Sequence, residues 1–274
     1  MDAAVDSLRD MYDAVYDVDT AMTELVKVTT ATEQTYSKFI KTASSASKDI
    51  GTTVSEYINS TADFARLGHS LAESQELAKV ANIYNVVGDD IESIDQATSS
   101  IISTMTAFGI ATNNAMQIVD KFNKVSNEFP ISSGGIGEAL TKSASSMAAA
   151  NNTLDQTIAL ITAANAVTQD PDAVGTAFKT LSMRIRGAKS ALIEAGLDTD
   201  GMASSISTLR SEIEHLTGVD IMIDDSTFKS TYDILKEISE VWETLEDVDQ
   251  ANVIELIAGK LLPECTAMCI HEHI

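Results

Sequence analysis

Chain breakers are scarce in this sequence. Its 274 residues include 3 prolines and 13 glycines, where average usage of about 5% proline would give roughly 14 prolines. Long helices therefore meet few obstacles. Aromatic residues make up 5% of the chain, too few for a platform of stacked bases. Basic residues are also short: 18 Lys and Arg face 41 Asp and Glu, for a formal net charge of −23. Such a chain repels phosphate instead of displacing counterions from it, which excludes direct nucleic-acid binding by this segment. No long apolar run occurs, because even the Ala-rich stretch 147–167 is interrupted by Asn151, Asn152, Asp155 and Gln156, so no membrane span is expected. The first residues, MDAAVDSLRD, are acidic where a signal peptide needs a basic region, and export by that route is not expected. The two cysteines, Cys265 and Cys269, are too few and too local to staple a fold, so reduced thiols are expected.

What is present is a hydrophobic share of 44%, close to the roughly 45–50% of globular chains and enough for a core. The first 50 residues carry apolar positions alternately three and four apart. Met1, Leu8, Val15, Met22, Tyr36, Ala43 and Ile50 form one row and Ala4, Met11, Val18, Leu25, Phe39 and Ala46 the other. Thr29 and Thr32 are the polar interruptions. This heptad seam predicts a coiled-coil-like helix over 1–50, about 75 Å long if unbroken. Tyr12, Val26 and Ile40 beside the seam widen the apolar stripe beyond a two-stranded zipper and point to a bundle or to association of copies, with Leu8, Val15, Met22 and Leu25 as contact residues.

Beyond Gly51 the pattern shortens. Thr53 with Glu56, Ser70 with Glu73, Asp89 with Glu92 and Thr153 with Gln156 have the spacing of capping boxes. Asp170 before Pro171 reads as a helix cap with proline in the first turn. Gly68, Gly88, Gly109 and Gly196 fall where helices should stop. A loop is expected at 129–135, a short strand at 219–223, and a helix over 227–245. The class is all-α: a long N-terminal helix over 1–50 and a compact multi-helix domain over 51–260, followed by a divergent tail at 261–274.

Chemical motifs are weak. Gly134-Gly135-Ile136-Gly137 follows no strand and lacks the Lys-Ser/Thr of a nucleotide loop, so it reads as a turn between helices. Asp198-Thr199-Asp200-Gly201 lacks the distal Glu of a calcium loop and reads as a turn. Neither His69 nor His215 sits in a nucleophile motif, so no enzyme activity is expected. Lys179, Arg184, Arg186 and Lys189 form the one basic cluster. On a single helix Lys179, Arg186 and Lys189 would share a face and could dock an acidic partner, or pair with the chain's own carboxylates. Cys265, Cys269, His271 and His273 offer zinc-type ligands, but nine residues can scarcely wrap an ion and anchor it. No metal or other cofactor is expected.

Several longer strings carry a resemblance. They are 64–68 (FARLG) leading into 77–89 (LAKVANIYNVVGD), 118–127 (IVDKFNKVSN), 163–170 (AANAVTQD) and 174–186 (VGTAFKTLSMRIR). Across about Met11 to Lys260 the chain resembles the central region of the phage tail tape measure family. The resemblance implies a mostly helical structural protein of the virion tail lumen. Such a protein sets tail length during assembly in the host cytoplasm and leaves on infection to assist genome delivery. The implied partners are copies of itself, tail tube and tail-tip proteins, and tail assembly chaperones. Family members are usually much longer, which marks this chain as a fragment or shortened reading frame, and 261–274 as a frameshifted or artificial end. In the same strings Gly175 and Ala177 are expected to let a neighbouring helix approach closely. A bacterial coiled-coil interaction protein unrelated to tails is the alternative.

Overall fold

The computed structural model describes residues 2–259, apart from the side chains of 2–5, 7 and 8. These residues form thirteen α-helices, two short 3-10 turns and one two-stranded hairpin, so the all-α class holds. The chain divides into two compact units. Among the described residues, one takes those up to 102 and 111–121, the other 103–110 and those from 122 onward.

The first unit opens with α1 (Asp2–Val28) and α2 (Glu33–Ile50). The single long helix is thus two helices, and the break falls at the polar interruptions of the seam. Thr29 Oγ1 donates to the Leu25 carbonyl at 2.7 Å, the local side-chain bond by which threonine competes with helix backbone. Thr32 sits in extended conformation and accepts from Thr35 N, capping α2. Gly51 closes α2 at φ 89°, where only glycine avoids a steric penalty.

Next come α3 (Val54–Arg66) and α4 (Leu71–Val87). Both start with the anticipated capping boxes, Thr53 with Glu56 and Ser70 with Glu73. Burial alone would raise the Glu56 pKa, but hydrogen bonds from Thr53 and Thr52 outweigh it and hold it below its ordinary value. Helix α3 packs against α1, α2 and α4, so the first fifty residues join a helical cluster instead of standing apart. Leu25, Ala43, Ile58, Phe64 and Leu77 are buried here. Asn82 is fully buried and bonded at both ends of its amide: it accepts from Thr52 Oγ1 at 3.0 Å and donates to Ser60 Oγ and the Ala78 carbonyl, both at 2.8 Å. The Tyr57 hydroxyl donates to the Gln75 carbonyl at 3.0 Å. Burial, with the charge of Glu76 second, pushes its pKa up to about 12.

Helix α5 (Ile94–Phe108) does not begin at Asp89. Asp90 has φ 52° and turns the chain. The first-turn bonds come instead from Ser93 Oγ, which accepts from Gln96 N, and from Gln96 Oε1, which accepts from Glu92 N.

After α6 (Met116–Glu128), the second unit contains α7 (Ser133–Ala149), α8 (Leu154–Thr168) and α9 (Pro171–Ile185). Gly134-Gly135-Ile136-Gly137 is not a turn between helices but the buried first turn of α7, capped by Ser132. The glycines are there for contact. A Cβ on Gly135 would lie 2.9 Å from Pro171 Cγ, and one on Gly175 would lie 2.5 Å from the Ala139 carbonyl oxygen. Helices α7 and α9 therefore meet backbone to backbone. Asp170 caps α9 with Pro171 in the first turn, as its sequence implies.

The remainder comprises α10 (Lys189–Glu194), α11 (Ile206–Thr217), β1 (Met222–Asp224), β2 (Thr227–Phe228), α12 (Thr231–Val241) and α13 (Asp247–Ala258). The anticipated strand thus lies at the end of 219–223. The anticipated helix over 227–245 loses its first residues to β2, which pairs antiparallel with β1 through Met222 and Phe228. Asp224 Oδ1 accepts from both the backbone N and the Oγ of Ser226, each at 2.8 Å, and so fixes the tight turn. Ser230 then caps α12, which buries Ile234, Leu235 and Ile238.

Candidate interaction surfaces

The basic cluster does not form one face. Helix α9 ends at Ile185, Gly187 turns the chain at φ 64°, and Lys189 opens α10. Lys179 is half-buried and Lys189 exposed. Arg186 stacks over the Phe228 ring at 4.5 Å, and its burial lowers its pKa.

Arg184 is only 1% exposed. Its guanidinium donates to the carbonyls of Glu255 (2.8 Å), Asp200 (2.9 Å), Asp198 (3.2 Å) and Leu256 (3.4 Å). Burial lowers its pKa, against the opposing charges of Asp198, Glu255 and Asp200. Glu255 and Leu256 lie in the last turn of α13, whose carbonyls carry the negative end of the helix dipole; that of Glu255 also accepts from Gly259 N at 3.1 Å. The Asp198–Gly201 segment is a turn, as expected: Asp198 Oδ1 accepts from Asp200 N at 3.0 Å and Gly201 has φ 70°. Its carbonyls complete the cradle. One arginine thus binds α9, this turn and α13 together. The signal for it was positional, since Arg184 follows Leu181 by three residues on the buried side of α9.

The seam residues also divide. Leu25 is fully buried, with Ala21, Phe39 and Ala43, and Met22 is half-buried. Val15 is 70% exposed, with Met11 at 66%, Tyr12 at 70% and Tyr16 at 61%. The side chain of Leu8 lies outside the described residues. Leu25 and Ala43 therefore find their apolar partners within this chain, and a face around Val15 does not. Tyr16, four residues from Tyr12, belongs to that face and was missed because it falls outside the two heptad rows.

A groove of about 540 Å³ lies in the second unit, lined by Ser211, Glu212, His215 and Leu216 of α11 and Asn252, Glu255 and Leu256 of α13. Spacing could not reveal it, since its two walls lie about forty residues apart. Elsewhere His69 meets Phe64 edge-on, with ring centroids 6.5 Å apart. Among the described residues no group of three or more His, Cys, Asp or Glu could hold a metal ion, and no helix is long and apolar enough to cross a membrane. Cys265, Cys269, His271 and His273 lie outside the described residues.

No solved structure matches this chain. Helices α3 to α13 and the close α7–α9 contact instead fall within a match to a protein family, described as phage-related minor tail protein, that covers residues 40–259. The chain belongs to the phage-related minor tail protein family.

Proposed function

We propose that the chain is part of a tape measure, the minor tail protein whose length sets tail length and which leaves on infection to assist genome delivery. The observation that carries this reading is the family match over residues 40–259, joined to the strings that resemble tape measure proteins within it. Those strings lie on the packed helices: 77–87 on α4, 118–127 on α6, 163–168 on α8 and 174–185 on α9. The string 174–186 supplies both Gly175, against the α7 backbone, and Arg184, in its carbonyl cradle. Membership of a tail family sets aside a coiled-coil protein unrelated to tails. On this reading the role is structural and not enzymatic. The partners are tail tube and tail-tip proteins, assembly chaperones and further copies of the chain, and the place is the tail lumen after assembly in the host cytoplasm.

Length arithmetic supports one contribution for this segment. Its longest described helix has 27 residues, about 40 Å, whereas all 274 residues as one helix would reach about 410 Å. Its helices pack into two compact units, which supports a folded module of the ruler over an extended measuring rod. Deleting the gene from the phage and imaging tails by electron microscopy tests the reading. Tubes of irregular length, or no tubes, are expected. Tails with the normal length and normal scatter would refute the ruler role and leave another minor tail function.

A further inference from the structure

We propose that the exposed face of α1 formed by Met11, Tyr12, Val15 and Tyr16 docks an amphipathic helix of another protein that carries Lys or Arg beside its apolar stripe. The proposal does not depend on the tape measure reading. Single exposed apolar residues are ordinary. Here four large ones stand within two turns of one helix, each more than 60% exposed, at the three- and four-residue spacing that anchors helix-to-helix recognition. Two are tyrosines and one a methionine, types enriched where proteins meet. Further along α1, Ala21 and Leu25 are buried and α1 packs on α3, so the face is presented on an already ordered helix and docking costs little ordering entropy.

Charge selects the occupant. Around this face α1 carries Asp6, Asp10, Asp13, Asp17 and Asp19 against Arg9 alone. Asp10, Asp13, Asp17 and Asp19 are exposed, and no ion pair engages them among the described residues. A second copy would bring an equal set of carboxylates into close range, and each copy adds a net −23. Like charges at that distance oppose the contact. A basic helix reverses the sign, and its Lys or Arg side chains can also lie over the Tyr12 and Tyr16 rings.

The test uses the full chain and a fluorescent amphipathic peptide of roughly 18 residues made of Leu and Lys, beside a counterpart with Glu for every Lys. Fluorescence anisotropy should show saturable binding of the Leu/Lys peptide and binding at least about tenfold weaker for the Leu/Glu peptide. Replacing the exposed pair, Val15→Ser with Tyr16→Ser, should weaken Leu/Lys binding by about tenfold or more with unchanged circular dichroism. Val248→Ser, at a site 67% exposed on α13, should leave it unchanged. Three results would each overturn the proposal. The first is equal binding by the double variant, which means general attraction to an acidic chain. The second is equal binding of the two peptides. The third is self-association of the unmodified chain in sedimentation that the double variant abolishes, which assigns the face to a second copy.

Discussion

Replacing Arg184 by methionine isolates the work of its guanidinium, because methionine keeps most of the buried stem and removes every donor. Four backbone carbonyls then lose a charged donor, two in the final turn of α13 and two in the Asp198–Gly201 turn, although that of Glu255 keeps its bond from Gly259 N. An orphaned buried polar group costs about 1–3 kcal/mol, but such costs do not add fully, because relaxation admits water. Removal of the buried cation's own desolvation penalty offsets part of the loss. The net expectation is a destabilisation of about 3–5 kcal/mol. Arg184→Lys should cost less, since its three donors still serve some carbonyls. The chain has a single tryptophan, Trp242, buried in the same unit, so its fluorescence reports that unit's unfolding. With a urea slope of about 2 kcal/mol/M, the midpoint should fall by about 1.5–2.5 M for methionine. A shift below about 0.5 M for methionine, or a larger loss for lysine than for methionine, would refute the cradle as a source of stability.

Gly175→Ala places a methyl group against the Ala139 backbone and should cost about 1–3 kcal/mol in the same urea assay. Gly218→Ala, where a Cβ meets open space at φ 74°, should cost only the backbone strain of about 1–2 kcal/mol. Asn82→Ala should speed amide hydrogen exchange in α3 and α4, because it removes the buried bond by which Asn82 of α4 donates to Ser60 of α3. Arg210 holds Asp220 bidentately at 2.8 and 2.5 Å and, with a bond from Met222 N, lowers its pKa. The resulting stability is therefore fully present above the unfolded carboxylate pKa of about 3.9 and is lost as pH falls through the lower folded value. The gap in thermal midpoint between the parent and Asp220→Asn should hold from pH 7 to 5 and close below about pH 4, and a gap that widens on acidification would contradict this sign.

Elements governed by local chemistry were legible in the sequence. Thr53, Ser70, Thr153 and Asp170 each accept the first-turn bond that their spacing implied. A capping bond spans three residues and needs nothing from the rest of the chain. Legibility fails where a distant partner decides. Gly134 and Gly135 look like turn residues until Pro171 and the α7–α9 contact give glycine another purpose. Thr227 and Phe228 fit a helical pattern, yet the Asp224–Ser226 turn returns them to Met222 as a strand. Arg184 and Lys189 look alike as members of a basic cluster. Only α13, some seventy residues onward, makes the first a buried helix cap and leaves the second in solvent.

The docking face of α1 shows the same limit in a form that can be measured. Val15 and Leu25 have equal standing in the heptad pattern, but one is 70% exposed and the other fully buried. Helix length accounts for the difference. Helix α1 has 27 residues and α3 has 13, about 40 Å against about 20 Å, so α3 can cover only about half of its partner. The Glu24–Arg66 ion pair at 3.4 Å places the C-terminal end of α3 beside the buried half of α1. A periodic pattern states which face of a helix is apolar and says nothing about how far a neighbour extends along it. That information lies in the length of another segment, here the 13 residues of α3. The apolar residues that such a neighbour cannot reach are those left for a partner outside the chain.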